Sequence, residues 1–516
     1  MSLSWRPSAA VPARTWPVWA DVGLVAVLGA LQTIGFVHTA AWWLQLLCVA
    51  GLAHRVFAAS VRRAALLGLA FGTAWLVAGV WWLFISLHRY GNLPAWLAAL
   101  AVLALALALS LYLSLAMAAV ARWRSGRVWL DAMGFGGAWL LAELARTWLF
   151  TGFPWVVSGY AQVDAPLATL APWFGVLGIG AAMALLGALL ARVSSQRAPA
   201  LVCAAVVVLL AWLGPPSHSH PAAALSVSLL QTNVPQDEKF VLEQLPNTLR
   251  ALAAELGAAR GQLVIAPETA VPLLPSQLDE VAPGYLAALS SHFGTPSRAA
   301  LIGVPLGDYD SGYSNSVIGL TGAAAAPYRY DKQHLVPFGE FIPTGFRWFT
   351  TLLNIPLGDF MRGARNPPSF AFGDARIAPT ICYEDLYGDE LALRFGDDAT
   401  APTMFANLSN IGWFGDTIAI DQHLNISRMR TLEFQRPMLR ATNTGATAII
   451  DQRGVVRASL PPFTRGVLDG HVQGHTGITP YAWWAARAGL WPYLVVGLIG
   501  CAACAWRSRA AAARAT

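Results

Sequence analysis

Charge is scarce in this sequence, and lysine is nearly absent. Only 12% of the 516 residues are Asp, Glu, Lys or Arg, while 56% are hydrophobic; an ordinary soluble protein is roughly 25% charged. A chain so short of charge cannot present a solvated surface along its whole length, which excludes a wholly soluble fold and places part of it in lipid. Of the 34 basic residues only Lys239 and Lys332 are lysine. The net charge of +6 does not speak for nucleic acid. The arginines gather at the ends of apolar runs, where membrane topology accounts for them, and no interleaved basic and aromatic patch occurs. Cysteine is sparse as well. Cys48, Cys203, Cys501 and Cys504 lie in or beside apolar runs, which leaves Cys382 as the one thiol of the polar part, without an intradomain disulfide partner. No Cys/His cluster has zinc spacing, no glycine-rich phosphate loop follows a strand, and no Gly-x-Ser-x-Gly occurs, so neither a metal nor a cofactor is expected.

What is present divides the chain. Apolar runs at 18–37, 40–58, 64–87, 93–121, 128–149, 166–192, 198–214 and 486–506 are each near or above the ~20 residues that cross a membrane. The run 40–58 also fits an interfacial hairpin arm, and 128–149 carries Asp131, Glu143 and Arg146. The expected organisation is a polytopic α-helical bundle of about seven spans (1–214), a Pro/Ser/His linker (215–221), an α/β domain (222–476), a last span (486–506) and a tail (507–516). The first run lacks a small-residue cleavage site, so a signal peptide is not expected. Eight spans put both termini on one side. Arg6, Arg14, Arg55, Arg62, Arg63, Arg122, Arg124, Arg127, Arg192, Arg197, Arg507, Arg509 and Arg514 share that side, and only Arg89, Arg146 and Arg487 flank spans on the other. The positive-inside rule then makes the termini cytoplasmic and the 222–476 domain exported, which in a bacterium is the periplasmic face of the inner membrane. Glu143 and Arg146, three residues apart, share a helix face; either they fix helix packing as an ion pair or they bind a lipid headgroup together with the loop 151–155.

In the polar part, strand-like runs at 224–232, 262–266, 299–304, 314–320, 369–382, 403–408 and 438–451 alternate with helical stretches near 240–257, 277–293, 388–396 and 417–434. That pattern predicts an α/β domain, and its adjacent strand pairs argue against a purely parallel sheet. Three reactive side chains fall at element edges. Glu268 follows the buried-looking strand 262–266; a carboxylate desolvated at a strand's mouth is a candidate general base. Lys332 offers a compact ammonium in an arginine-biased chain, suited to holding an oxyanion or a thiolate. Cys382 ends a strand where a helix start is expected, a place that favours thiolate over thiol; the bland alternative is an inert core cysteine. His334 and His423 are the candidate bases for a Cys–His pair, and neither context singles one out.

Pro267-Glu268-Thr269, Tyr330-Asp331-Lys332 and Ile381-Cys382-Tyr383-Glu384, in that order, resemble the Glu-Lys-Cys triad of the nitrilase (carbon–nitrogen hydrolase) superfamily. With the multi-span N-terminal half, the motifs Leu335–Glu340, Asn407–Asn410, Trp413–Asp416, Arg428–Arg430 and Arg440–Gly445 narrow the resemblance to the apolipoprotein N-acyltransferases. The resemblance implies an αββα sandwich and a two-step acyl transfer. In it Glu268 acts as general base, Lys332 holds the oxyanion and Cys382 is the nucleophile. Glu340 and Glu384 would tune the triad and Tyr383 would line the acyl pocket. The implied partners are a phospholipid donor and a diacylglyceryl apolipoprotein acceptor, handled by a membrane-embedded monomer without nucleic acid. Phe240 stands where the family often has tryptophan, so a stacking contact there would lack an indole N–H.

The aromatic stretch 346–355, with Trp348, reads as an arm dipping into the bilayer interface or else as a core helix. Trp413 and Phe414 read as a second lid or as core. Two other functions compete: a membrane-tethered amidase or nitrilase, in which water resolves the thioester, and a non-catalytic scaffold or transporter. The first has no need of eight spans, and the intact triad counts against the second.

Overall fold

A backbone away from water must satisfy its own hydrogen bonds, so long apolar runs close into helices. The computed structural model describes residues 16–193, 196–214, 216–322, 327–342 and 360–513. Its N-terminal half is a bundle of α1 (Val18–Leu31), α2 (Trp42–Ala58), α3 (Val61–Val80), α4 (Ala95–Trp123), α5 (Val128–Trp148), α6 (Ala171–Leu190) and α7 (Arg197–Leu213). Among the described residues five helical stretches are long and apolar enough to cross a membrane: Val18–Phe36, Thr39–Ala58, Val61–Val80, Ala95–Trp123 and Pro166–Leu190. The runs expected at 128–149 and 198–214 are helical too, but α5 carries Asp131, Glu143 and Arg146, and α7 is only 17 residues long.

Charges mark one end of this bundle. Asp21 of α1 pairs with Arg55 and Arg63, Arg124 donates to the carbonyls of Phe57 and Ala59, and Arg192 faces Asp131 at 3.7 Å. Glu143 and Arg146 serve packing. The Glu143 carboxylate accepts from the Ser158 N–H (2.7 Å) and hydroxyl (2.9 Å), and Arg146 donates to the Val156 carbonyl (3.1 Å) and lies over the Trp75 ring. Both charges are therefore used in pinning the loop that joins α5 to α6.

The polar half is two six-stranded mixed sheets. One runs β12-β1-β2-β3-β4-β5 and the other β11-β10-β9-β8-β7-β6, with β1 (His220–Gln231), β2 (Leu263–Ile265), β3 (Ala299–Asp308), β4 (Gly312–Leu320), β5 (Tyr328–Asp331), β6 (Phe370–Phe372), β7 (Ala375–Ile381), β8 (Met404–Ser409), β9 (Met438–Thr442), β10 (Ala448–Ile450), β11 (Val456–Ser459) and β12 (Gly466–Thr476). Parallel triplets β1-β2-β3 and β7-β8-β9 form the centres, and antiparallel strands flank them. Side chains alternate faces along a strand, so Val227, Leu229, Leu263, Ile265, Leu301, Ile377, Ile381, Met404, Ala406 and Leu408 fill the space between the sheets.

The outer faces differ. Leu230, Val264, Ala300 and Ile302 on the first sheet pack on α8 (Leu245–Ala258), α9 (Pro275–Val281) and α10 (Tyr285–His292). A single helix was expected near 277–293; Gly284 at φ +74° instead caps α10 and splits the stretch in two. On the second sheet, Ala378 and Phe405 join α11 (Gly388–Ala392) and α12 (Ala419–Phe434) in a core continuous with the membrane bundle. The result is an αββα sandwich whose second helical layer docks on the membrane half. The run 369–382 proves to be a hairpin of β6 and β7. At the C-terminal end, α13 (Pro480–Ala488) meets α14 (Trp491–Ala513) at a 95° bend at Gly489, and α14 packs along α5.

Candidate active site

Parallel strands leave a crevice at their carboxyl ends, and the candidate residues sit there. Glu268 follows β2, Cys382 follows β7, Asn410 follows β8 and Lys332 follows β5. The chain turns sharply after β2: Thr269 has φ +49°, and a Cβ on Gly303 would stand 2.4 Å from the Pro267 carbonyl oxygen. Only glycine lets β3 pass this close behind Glu268.

The Glu268 carboxylate is held on both oxygens. Oε1 accepts from Asn315 Nδ2 (2.8 Å) and lies 3.6 Å from Lys332 Nζ, while Oε2 accepts from the Asn410 N–H (2.8 Å). Lys332 is 1% exposed and donates to Glu340 Oε1 at 2.9 Å, and Asn315 Nδ2 donates to that same oxygen at 2.9 Å. The second Glu340 oxygen accepts from the Val336 N–H. Burial alone would lower the Lys332 pKa, but Glu340, Glu268, Cys382 and Glu384 together outweigh it and hold the ammonium well above the usual lysine range. Lys332 is thus a fixed cation between two carboxylates.

Cys382 is partly exposed and sits at φ +55°, a left-handed conformation that costs a non-glycine residue about 1–3 kcal/mol. Glu384 supports the turn by accepting from the Ile381 N–H (2.7 Å), the Gln333 N–H (2.7 Å), the His334 N–H (3.1 Å) and the Tyr330 hydroxyl (2.5 Å). Burial raises the Glu384 pKa against those bonds and Lys332. The expected helix start is a five-residue 3₁₀ turn, Cys382–Leu386. It does not ionise the sulfur: burial, then the Glu268 charge, push the thiol up to about 12 against the pull of Lys332. The turn's position was expected to favour the thiolate; here burial and the Glu268 charge favour the thiol.

Neither histidine serves the thiol. His334 Nδ1 is bonded to Glu390 (2.9 Å) and its ring stacks on Tyr387. His423 is fully buried, donates from Nε2 to Asp385 Oδ1 (3.0 Å) and accepts from Arg440. Ser427 and Arg440 complete this anchor on Asp385, three residues after the cysteine; burial would raise the Asp385 pKa, but His423 and Arg440 bring it below the usual carboxylate range.

The supporting candidates divide. Tyr383 is buried, donates to the Leu335 carbonyl (2.6 Å) and lays its ring 5.5 Å from Lys332 Nζ. Phe240 is 53% exposed. Trp413 is half exposed against Tyr90, whereas Phe414 packs into Trp82 and Trp155 at the membrane side. Trp348, with the stretch 346–355, lies outside the described residues. Sequence reasoning missed Asn315, which bridges both carboxylates, and Lys239, whose Nζ donates to the Glu268 carbonyl oxygen at 3.0 Å. The signal for Lys239 was its rarity; an asparagine inside a strand gave none. Among the described residues no group of three or more His, Cys, Asp or Glu could hold a metal ion.

A hard acid-and-cation pair beside a strained thiol is equipped for covalent acyl chemistry. Comparison with known proteins agrees. The family model for the apolipoprotein N-acyltransferase N-terminal domain matches residues 28–189, and that for carbon-nitrogen hydrolase matches 226–481. The chain is 52% identical to the apolipoprotein N-acyltransferase of Verminephrobacter eiseniae, covering 87% of this chain and 89% of the relative. It is 45% identical to that of Ralstonia nicotianae, covering 95% and 94%, and 41% identical to that of Bordetella bronchiseptica, covering 96% and 98%. With that identity across both halves, the chain belongs to the apolipoprotein N-acyltransferase family, its catalytic half built on the carbon–nitrogen hydrolase fold.

Proposed function

We propose that the protein transfers a fatty acyl chain from a phospholipid to the α-amino group of the S-diacylglyceryl-cysteine that begins an apolipoprotein, through a thioester on Cys382. The observation that carries this reading is the Lys332 ammonium held between Glu268 and Glu340 in the pocket of the Cys382 thiol. Burial and the Glu268 charge push that thiol up to about 12, so the sulfur rests as a thiol at pH 7. Glu268 therefore takes the thiol proton as sulfur attacks the ester carbonyl. Lys332, with a backbone N–H near Cys382, stabilises the tetrahedral oxyanion, and Glu268 returns the proton to the departing lysophospholipid oxygen. The amine of the lipoprotein cysteine then attacks the thioester; Glu268 accepts its proton and passes it to the departing Cys382 sulfur, which gives the amide and restores the thiol. Glu340 and Glu384 orient the triad and Tyr383 lines the acyl pocket; Phe240 and Trp413 contact the lipid substrates. Two substrates taken in turn through one covalent intermediate give ping-pong kinetics.

The membrane half supplies the donor. In this reading the bundle of residues 1–214 and the helix after 486 make eight spans of the bacterial inner membrane, crossed by a monomer. Both termini are cytoplasmic, and the domain at 222–476 faces the periplasm. The arginine-rich end of the bundle supports that orientation.

Intact-mass analysis of the purified enzyme with phospholipid vesicles tests the chemistry. An acyl adduct on Cys382 that a diacylglyceryl peptide amine discharges, and that Cys382→Ser lacks, is the expected result. Discharge by water at the same rate with and without that peptide would make the enzyme a hydrolase instead.

A further inference from the structure

The chain has two lysines, and the fold brings both to Glu268. Lys332 reaches the carboxylate; Lys239 reaches the main chain, where Nζ donates to the Glu268 carbonyl oxygen at 3.0 Å. Lys239 is 4% exposed. It arrives from a segment that is itself tied to the site. The Asn443 side chain accepts from the Thr232 hydroxyl (2.8 Å) and the Val234 N–H (2.9 Å) and donates to the Val234 carbonyl (2.8 Å). Gln236 Oε1 accepts from the side chain of Asn410, whose N–H holds the Glu268 carboxylate. One segment thus reaches both the carbonyl and, through Asn410, the carboxylate of the base.

A neutral donor would satisfy a backbone carbonyl without the desolvation that burying an ammonium costs. The charge therefore has to be judged by what it faces. Of the groups around it, Arg465 lines the same small cavity but is paired with Glu255 of α8, and Asp237 on the same segment is paired with Arg89. Glu268 and Cys382 remain as the groups whose charge acts on Lys239. Burial outweighs their attraction and brings the lysine down to about 8, still cationic at pH 7.

Resting on the acyl-transfer reading above, we propose that Lys239 is a positioning residue of the reaction: it clamps the main chain at Glu268 and adds a second positive charge to the pocket in which the Cys382 proton moves. Removing that charge leaves both the carboxylate and the incipient thiolate less stabilised, so acylation slows most on the acid side.

Acyl-adduct formation on Cys382, followed by intact mass from about pH 5 to 9 in phosphatidylethanolamine–phosphatidylglycerol vesicles, tests this with full-length wild type, Lys239→Gln and Lys239→Met. Both variants lose the charge, and only glutamine keeps a donor for the carbonyl. Both are expected to acylate about tenfold more slowly at pH 7, with the acid limb of the rate profile about one pH unit higher. A glutamine variant with the wild-type rate and limb would overturn the proposal. Wild type without any adduct would overturn the acyl-transfer reading instead. A second measurement does not depend on whether the lysine variants fold. Nζ-labelled lysine gives two resonances, of which one is expected to titrate near 8 and to move lower in Glu268→Gln; an unchanged titration there would also overturn the proposal.

Discussion

At the scale of residues, the site keeps the Cys382 thiol protonated and the Lys332 ammonium fixed. The causes acting on Cys382 have opposite signs: burial and the carboxylates of Glu268 and Glu340 raise the thiol, and Lys332 lowers it. Glu268→Gln removes one raising charge and leaves the burial in place. The Cys382 thiol of that variant is therefore expected to titrate below the wild-type value of about 12, read from the pH dependence of its alkylation by iodoacetamide. Acylation by the same variant is expected to fall roughly 10²- to 10⁴-fold, because the proton has lost its acceptor. A more easily ionised thiol in a slower enzyme would separate proton transfer from simple thiolate supply; a wild-type acylation rate would exclude Glu268 as base. Tyr383→Phe, losing its 2.6 Å bond to the Leu335 carbonyl, is expected to lower stability by about 1–2 kcal/mol in thermal unfolding. The convergence of Glu268, Lys332 and Cys382 was legible in the sequence because each follows a strand and two of the three are rare in their context. Asn315 was not, since its role depends on two carboxylates, 47 and 25 residues away along the chain, converging on one amide.

At the scale of elements, α12 couples the two halves. Gln422 Oε1 accepts from the indoles of Trp82 (3.1 Å) and Trp155 (2.8 Å), and its Nε2 donates to the Gly79 carbonyl (2.9 Å). Eleven residues on, three helical turns, Glu433 accepts the Val176 N–H, which the break in α6 at Gly175 (φ +60°) leaves free. Gln422→Leu would strand the buried Trp155 indole, at about 1–3 kcal/mol, while Trp82 keeps its own 3.1 Å bond to the Gly79 carbonyl. The expected outcome is a lower thermal midpoint and faster tryptic cleavage between the halves; an unchanged midpoint would mean that α12 docks on apolar contact alone. The sequence showed this helix but not its second face, because Gln422, Asn425, Arg430 and Glu433 look like solvent residues until a membrane bundle covers them. Strands β5, β11 and β12 escaped notice for the opposite reason. β12, with sequence GVLDGHVQGHT, is a sheet-edge strand whose outward positions are largely solvated, so no apolar alternation marks it.

At the scale of the whole molecule, the arrangement of charge along the bundle implies its orientation. Helix α3 carries Arg63, paired with Asp21, in its first turn and Gly79, whose carbonyl accepts from Gln422 of the catalytic domain, in its last. Its 20 residues span about 30 Å, the thickness of a bilayer core. Arg55, Arg63, Arg124 and Arg192 therefore cluster at the end of the bundle opposite the Gly79–Gln422 contact, and the domain lies at the end poor in basic residues. The orientation proposed above, by the positive-inside rule, has the arginine end in the cytoplasm. Two exposed positions test it: Ser311 on the catalytic domain and Gln196 between α6 and α7. In cells with a permeabilised outer membrane, Ser311→Cys is expected to react with a membrane-impermeant maleimide, and Gln196→Cys only after lysis. The reverse pattern would place the catalytic domain in the cytosol, where an N-terminal diacylglyceryl-cysteine exposed on the outer leaflet could not reach Cys382, and the proposed acceptor would have to be abandoned with the orientation.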